Sequence, residues 1–117
     1  MRREYELRDR TKQFALRVIR LYSALPKSTE AQVVGKQLLR SGTSVAANYR
    51  EASRARSDAE LISKLGIVEQ ELDESLLWIE LLVESGIMEE SRLAELRAEC
   101  EELLCMTVAS IKTLKTR

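Results

Sequence analysis

Leu61, Leu65, Val68, Leu72, Leu76, Ile79 and Val83 recur at spacings of three and four over about three heptads. That period places all seven on one face of an α-helix, whereas a strand would scatter them over both faces of a sheet. A single apolar stripe of this length must be buried against other helices. With only four Gly and one Pro in 117 residues, little interrupts helical periodicity elsewhere in the chain. The same pattern appears three more times. Leu7, Thr11, Phe14, Val18, Leu21, Tyr22 and Leu25 share a face before Pro26, which stops the helix. Val34, Leu38, Ser41, Val45, Tyr49 and Ala52 share the next, and Leu93, Leu96, Cys100, Leu103, Thr107, Ile111 and Leu114 the last.

The boundaries have their own signals. Thr29 to Gln32, "TEAQ", and Ser57 to Glu60, "SDAE", read as capping boxes, in which a hydroxyl accepts from a first-turn amide and the Gln or Glu side chain reaches back. Gly86 ends the third helix, and Glu89 and Glu90 open the fourth with charge that favours the positive end of its dipole. The expectation is one all-α domain over 1–117. It is an antiparallel up-down-up-down four-helix bundle with helices at about 7–25, 29–55, 58–84 and 89–115.

The formal net charge of zero conceals a division along the chain. Met1 to Arg56 holds 13 Lys+Arg against 5 Asp+Glu, a net of +8, and the remainder holds 6 against 14, a net of −8. On the outer face of the second helix Lys36, Arg40, Thr43, Ala47, Arg50 and Arg54 form a basic stripe with a waist of small residues. Arg10, Arg17 and Arg20 form a shorter stripe on the first helix. Three roles fit: a solvated face, pairing with carboxylates such as Glu71 and Glu74 of a neighbouring copy, or contact with RNA or DNA. No aromatic residue interrupts the stripe, so a nucleic-acid role would be contact with the phosphate backbone rather than stacking on bases.

Apolar residues remain after each helix has supplied its core stripe. Ile67, Leu77, Trp78 and Leu81 lie on the side of the third helix away from its seam, interleaved with Glu71 and Glu74, and Leu16 and Ile19 lie outside the stripe of the first. An apolar patch rimmed by carboxylates has the composition of a protein interface, which predicts self-association.

Enzymatic chemistry finds little to work with. The chain contains no histidine, which removes the commonest general base and metal ligand together with the Glu-x-x-His motif of di-iron bundles. Cys100 and Cys105, five apart on one helix, point about 140° apart and are poorly placed to bridge. They read as structural thiols of a reducing compartment. No phosphate-binding glycine loop is present. The central stretch containing Ser41, Gly42, Ser44, Val45, Asn48, Tyr49 and Ala52 concentrates small and hydroxyl side chains, but nothing beside it activates a serine. It reads as a tight-packing motif. The sequence therefore predicts a non-enzyme without metal, cofactor or small-molecule substrate. It also predicts a soluble, cytoplasmic protein, because the charged start "MRREYELRDRTKQF" lacks the apolar core of a signal peptide.

The segment "QLLRSGTSVAANYREASRARSDAELISKLGIVEQELDE", Gln37 to Glu74, with "WIELLVESGIM" after it, resembles the bacterial four-helix bundle family known as the 23S rRNA intervening-sequence proteins. The similarity extends from about Leu7 to Leu114, and "SGTSVAANYREA" is its most specific part. More distantly, the chain is similar to the accessory protein of diversity-generating retroelements, a basic pentameric bundle that associates with nucleic acid. The resemblance implies a four-helix protomer, assembly into a homopentameric ring, and RNA or DNA as the candidate partner. The alternative it leaves open is a structural module whose basic and acidic faces serve ring assembly alone.

Overall fold

In the computed structural model, which describes residues 2–117 and side chains from Glu6 onward, the four periodic segments are four helices. They are α1 (Arg2–Ala24), α2 (Thr29–Ala52), α3 (Asp58–Glu84) and α4 (Glu90–Lys115). Each packs antiparallel to its neighbour in chain order, giving a rod of 47 × 21 × 18 Å. The circuit is uneven: α2 is packed along both α1 and α3, whereas α1 and α4 meet only sparsely.

The core is made by the stripes the periodicity marks out. Phe14 and Val18 of α1, Leu38 and Val45 of α2, Val68, Leu72 and Ile79 of α3, and Leu93, Cys100 and Leu103 of α4 are sealed from solvent. Ser75 and Leu82 join them, so the buried face of α3 is wider on the side turned to α2 than the leucine spacing alone indicates.

Two ends differ from expectation. The cap of α2 is Ser28, one residue before the predicted box: its Oγ accepts from the Ala31 amide at 3.3 Å. The Gln32 side chain cannot reach back to complete a box because it is held elsewhere, accepting from the Tyr22 hydroxyl at 2.8 Å and donating to the Pro26 carbonyl at 3.3 Å. That pair ties the α1–α2 turn together. At its other end α2 stops at Ala52 rather than 55, where amides of Arg54 and Ala55 turn back three residues to Glu51 and Ala52 in a tightened last turn. Ser57 caps α3 through half of the predicted box: its Oγ accepts from the Glu60 amide at 3.1 Å, while the Glu60 side chain makes no return hydrogen bond among the described residues. Gly86 leaves α3 with φ of 81°, a left-handed conformation that a side chain would oppose, and the Met88 amide then returns to the Leu82 carbonyl at 3.0 Å. Met88 is thereby folded into the core.

α1 starts earlier than predicted, at Arg2 instead of Leu7. No proline or glycine precedes Leu7 to stop it, and Glu6 pairs with Arg10 one turn on at 3.7 Å.

Candidate nucleic-acid interface

The small residues of α2 set how closely the other helices approach it. Ser41, Gly42, Val45, Tyr49 and Ala52 are buried. A Cβ on Gly42 would come within 2.9 Å of Val18 Cγ2 and 3.0 Å of Cγ1, so α1 sits where only glycine leaves room. On the other flank the Ser41 and Ser75 hydroxyls lie 2.8 Å apart in a fully buried contact between α2 and α3. Ser44 and Asn48 are half-buried, and the Asn48 amide donates to the Ser44 carbonyl at 2.8 Å. The Ser41, Ser75 and Asn48 side chains are satisfied by one another or by the backbone, and among the described residues no base is hydrogen-bonded to Ser41 or Ser75. The Cys100 thiol is likewise turned to a carbonyl, that of Leu72, at 3.3 Å, and burial pushes its pKa up to about 12. Among the described residues no three Cys, Asp or Glu side chains cluster as a metal site.

The predicted basic stripes are divided by their partners. Arg40 turns to its own chain, pairing with Glu74 at 2.6 Å and with Glu71 at 3.4 Å across the α2–α3 seam. The two carboxylates foreseen as docking points for a neighbouring copy are therefore already engaged within the protomer. Arg10 is bound more firmly: Nη2 and Nε form a fork to Glu99 at 2.7 and 3.1 Å, Nη2 also reaches Glu102 at 2.9 Å, and Nη1 touches the Met106 sulfur at 3.4 Å. The Glu99 hydrogen bond raises the arginine's already high pKa further. Because α1 and α4 meet sparsely, this fork is the main polar tie between them.

Lys36, Arg50 and Arg54 on α2 and Arg17 and Arg20 on α1 have no carboxylate within 4 Å among the described residues. All but the half-buried Arg17 are exposed. Arg50 and Arg54 do not stand alone. With Arg8 and Lys12 of α1 across from them, they line a groove of about 520 Å³ between α1 and α2, whose lining also includes Ala46 and Ala47. Arg8 and Lys12 escaped the sequence reading because it sought partners along each helix rather than across a pair. The available signal was the i, i+4 repeat of Arg8 and Lys12, matching that of Arg50 and Arg54. Among the described residues the one acid lining the groove is Glu51, which is held by Lys64 of α3 at 2.8 Å, a hydrogen bond that raises the lysine pKa.

The leftover apolar residues separate into two surfaces. The antiparallel register that sets Arg40 opposite Glu74 also sets Val33 opposite Leu81, and Val33, Leu77 and Leu81 are 58, 46 and 38 % exposed. Trp78 lies half-buried beside them, with its indole N–H shielded from solvent and without a hydrogen-bond partner among the described residues. Ile67 is half-buried further along α3. Leu16, half-buried, and Ile19, exposed, belong to α1, which lies diagonally across the bundle and does not pack on α3.

Four antiparallel helices in sequence order, a core sealed by their apolar stripes and an outer surface divided by charge define an up-down four-helix bundle. The model of the 23S rRNA-intervening sequence protein family matches residues 3–109, and the chain belongs to that family. A solved structure from Bacteroides thetaiotaomicron, described as a protein with unknown function from the S23 ribosomal protein family, is 34% identical. It superposes with a TM-score of 0.86 over 93% of this chain and 97% of its own. No curated protein matches the sequence. None of the described helices is long and apolar enough to cross a membrane.

Proposed function

We propose that this chain is a non-enzymatic bundle that self-associates and binds RNA or DNA through backbone phosphates. The observation that carries the reading is the fate of the arginines. Arg10 and Arg40 are paired inside the protomer, while Lys36, Arg50, Arg54, Arg17 and Arg20 have no carboxylate partner among the described residues of α1 to α4. An unpaired cation retains its attraction for phosphate, and releasing the counterions of a polyanion then favours binding.

Self-association rests on the two separate apolar surfaces. A ring built head to tail joins two different patches of each subunit. The α2–α3 face with Val33, Leu77, Trp78 and Leu81 and the α1 face with Leu16 and Ile19 supply such a pair. A pentamer is the assembly that the family resemblance favours.

The test is fluorescence anisotropy of labelled RNA and DNA against salt, with light scattering on the same samples. Affinity falling steeply between 50 and 200 mM salt, as expected on the order of several released counterions, and a particle larger than the 13.4 kDa chain are the expected results. Absence of binding at 50 mM salt, with the oligomer intact, would leave the assembly-only reading in its place.

A further inference from the structure

We infer that the α1–α2 groove walled by Arg8, Lys12, Arg50 and Arg54 is a track for the sugar–phosphate backbone of one nucleic-acid strand. This inference rests on the proposed nucleic-acid reading and assigns it a site. Each wall presents two cations four residues apart, a separation of about 6 Å along a helix, and the two walls are antiparallel. Four positive charges thus converge on one concavity, and the only acid lining it among the described residues, Glu51, is paired with Lys64.

The small lining residues favour a backbone over a base. Ala46 and Ala47 make the groove open without offering a π-face, so bases gain nothing by entering it and turn outward. Arg50 and Arg54 supply planar forks that match phosphate oxygens, and Lys12 a compact point charge. The groove lies between two adjoining helices, and its volume of about 520 Å³ suits a segment of one strand rather than a duplex. A duplex would rest on the rims. Recognition is accordingly independent of sequence, because phosphate contacts position a strand without reading it.

Four contacts set a numerical expectation. For a single strand the slope of log K against log salt is about −0.7 per phosphate neutralised, hence about −2.8 for the groove. The experiment uses the full chain and a fluorescein-labelled 20-nucleotide single-stranded DNA of mixed sequence, its shuffled counterpart and its duplex. The double variants R8Q/K12Q and R50Q/R54Q should each flatten the slope by about 1.4 and weaken binding between about 10- and 100-fold at 50 mM salt. R92Q/K112Q, neutralising two exposed cations of α4 outside the groove, should change neither. Helicity by circular dichroism checks that each variant is folded. If the parent chain binds and both groove variants keep its affinity and slope, the groove assignment is overturned while the nucleic-acid reading stands. If the parent chain does not bind any of the three oligonucleotides at 50 mM salt, both fall. Tighter binding of the duplex than of the single strand overturns the one-strand track.

Discussion

The hydroxyls of Ser41 and Ser75 face each other across the α2–α3 seam at 2.8 Å, both wholly excluded from solvent. Ser75 also lies 2.8 Å from the Glu71 carbonyl, to which it donates. Its oxygen is then left to accept from Ser41. The result is a short relay of hydrogen bonds holding two helices at small-residue distance. Removing Ser75 alone strands the Ser41 hydroxyl with only the longer 3.3 Å contact to the Leu38 carbonyl. Ser75→Ala should therefore cost about 1–2 kcal/mol in urea unfolding, and the S41A/S75A double variant less than the sum of the singles, since no polar group is then orphaned. Additive losses would mean the two hydroxyls do not act as a unit.

Two glycines of helical segments should respond to alanine with opposite signs. At Gly42 the new methyl meets both γ-carbons and the β-carbon of Val18, a short, stiff side chain that cannot swing aside. Gly42→Ala should be destabilising by about 1–3 kcal/mol despite its better helix propensity, with partial rescue by Val18→Ala. At Gly66 nothing lies within 4 Å of the added Cβ, so Gly66→Ala should stabilise by about 0.5–1 kcal/mol. Thermal melts of the three variants decide both signs.

Arg10 makes a local stability prediction. Its fork to Glu99 and contact with Glu102 hold α1 along a seam with little other packing. Arg10→Ala should cost about 1 kcal/mol, a partly exposed pair being discounted for screening. Hydrogen exchange should quicken selectively in the first turns of α1, while protection of α3 stays near the parent value. Uniform loss of protection would argue that Arg10 supports the whole bundle.

The two thiols should differ in reactivity. Cys105 is exposed and Cys100 buried, so an aromatic disulfide reagent at neutral pH should titrate one thiol per native chain and two after denaturation. Burial raises the Cys100 pKa from 9.0 to about 12. The folded state thus keeps a proton that the unfolded chain releases. The sign follows: the full contribution is present below about pH 9 and is lost as pH rises towards 12, so Cys100→Ala should flatten the decline in stability over that window. Equal declines in parent and variant would sink this account.

The exposed apolar face of α2 and α3 carries the assembly prediction. Leu77 and Leu81 project from α3 outside its core stripe, so L77E/L81E should leave the helical signal and the unfolding midpoint nearly unchanged while reducing the particle size in light scattering. The same substitution should shift Trp78 emission to the red if a neighbouring copy covers that indole. An assembly of undiminished size would remove this face from the interface.

Much of the fold was legible because burial in a helix bundle is one-dimensional information. Phe14, Leu38, Leu72 and Leu103 announce their inward direction by their intervals alone, and their burial agrees. The N-cap at Ser57 is where the spacing places it, although only the hydroxyl half of the box forms. It slipped by one residue at Ser28 because Tyr22, from the preceding helix, holds the Gln32 side chain that a box would need. The burial of Ser75 was not legible, since a serine gives no hydrophobic signal and its seclusion depends on Ser41 lying opposite.

The sequence by itself determined four helices, their approximate ends, the inward stripes and a chain basic in its first half and acidic in its second, all of which follow from spacing and local chemistry. Only the tertiary structure decided which charges cancel. Arg10 and Arg40 look like Arg50 and Arg54 along the chain, yet the first two meet Glu99, Glu71 and Glu74 on adjoining helices. The other two face Arg8 and Lys12 across an open groove. Helical period fixes the direction of a side chain relative to its own axis. Which partner stands there depends on the register between helices, set by contacts such as Gly42 on Val18 and Ser41 on Ser75, far apart in sequence.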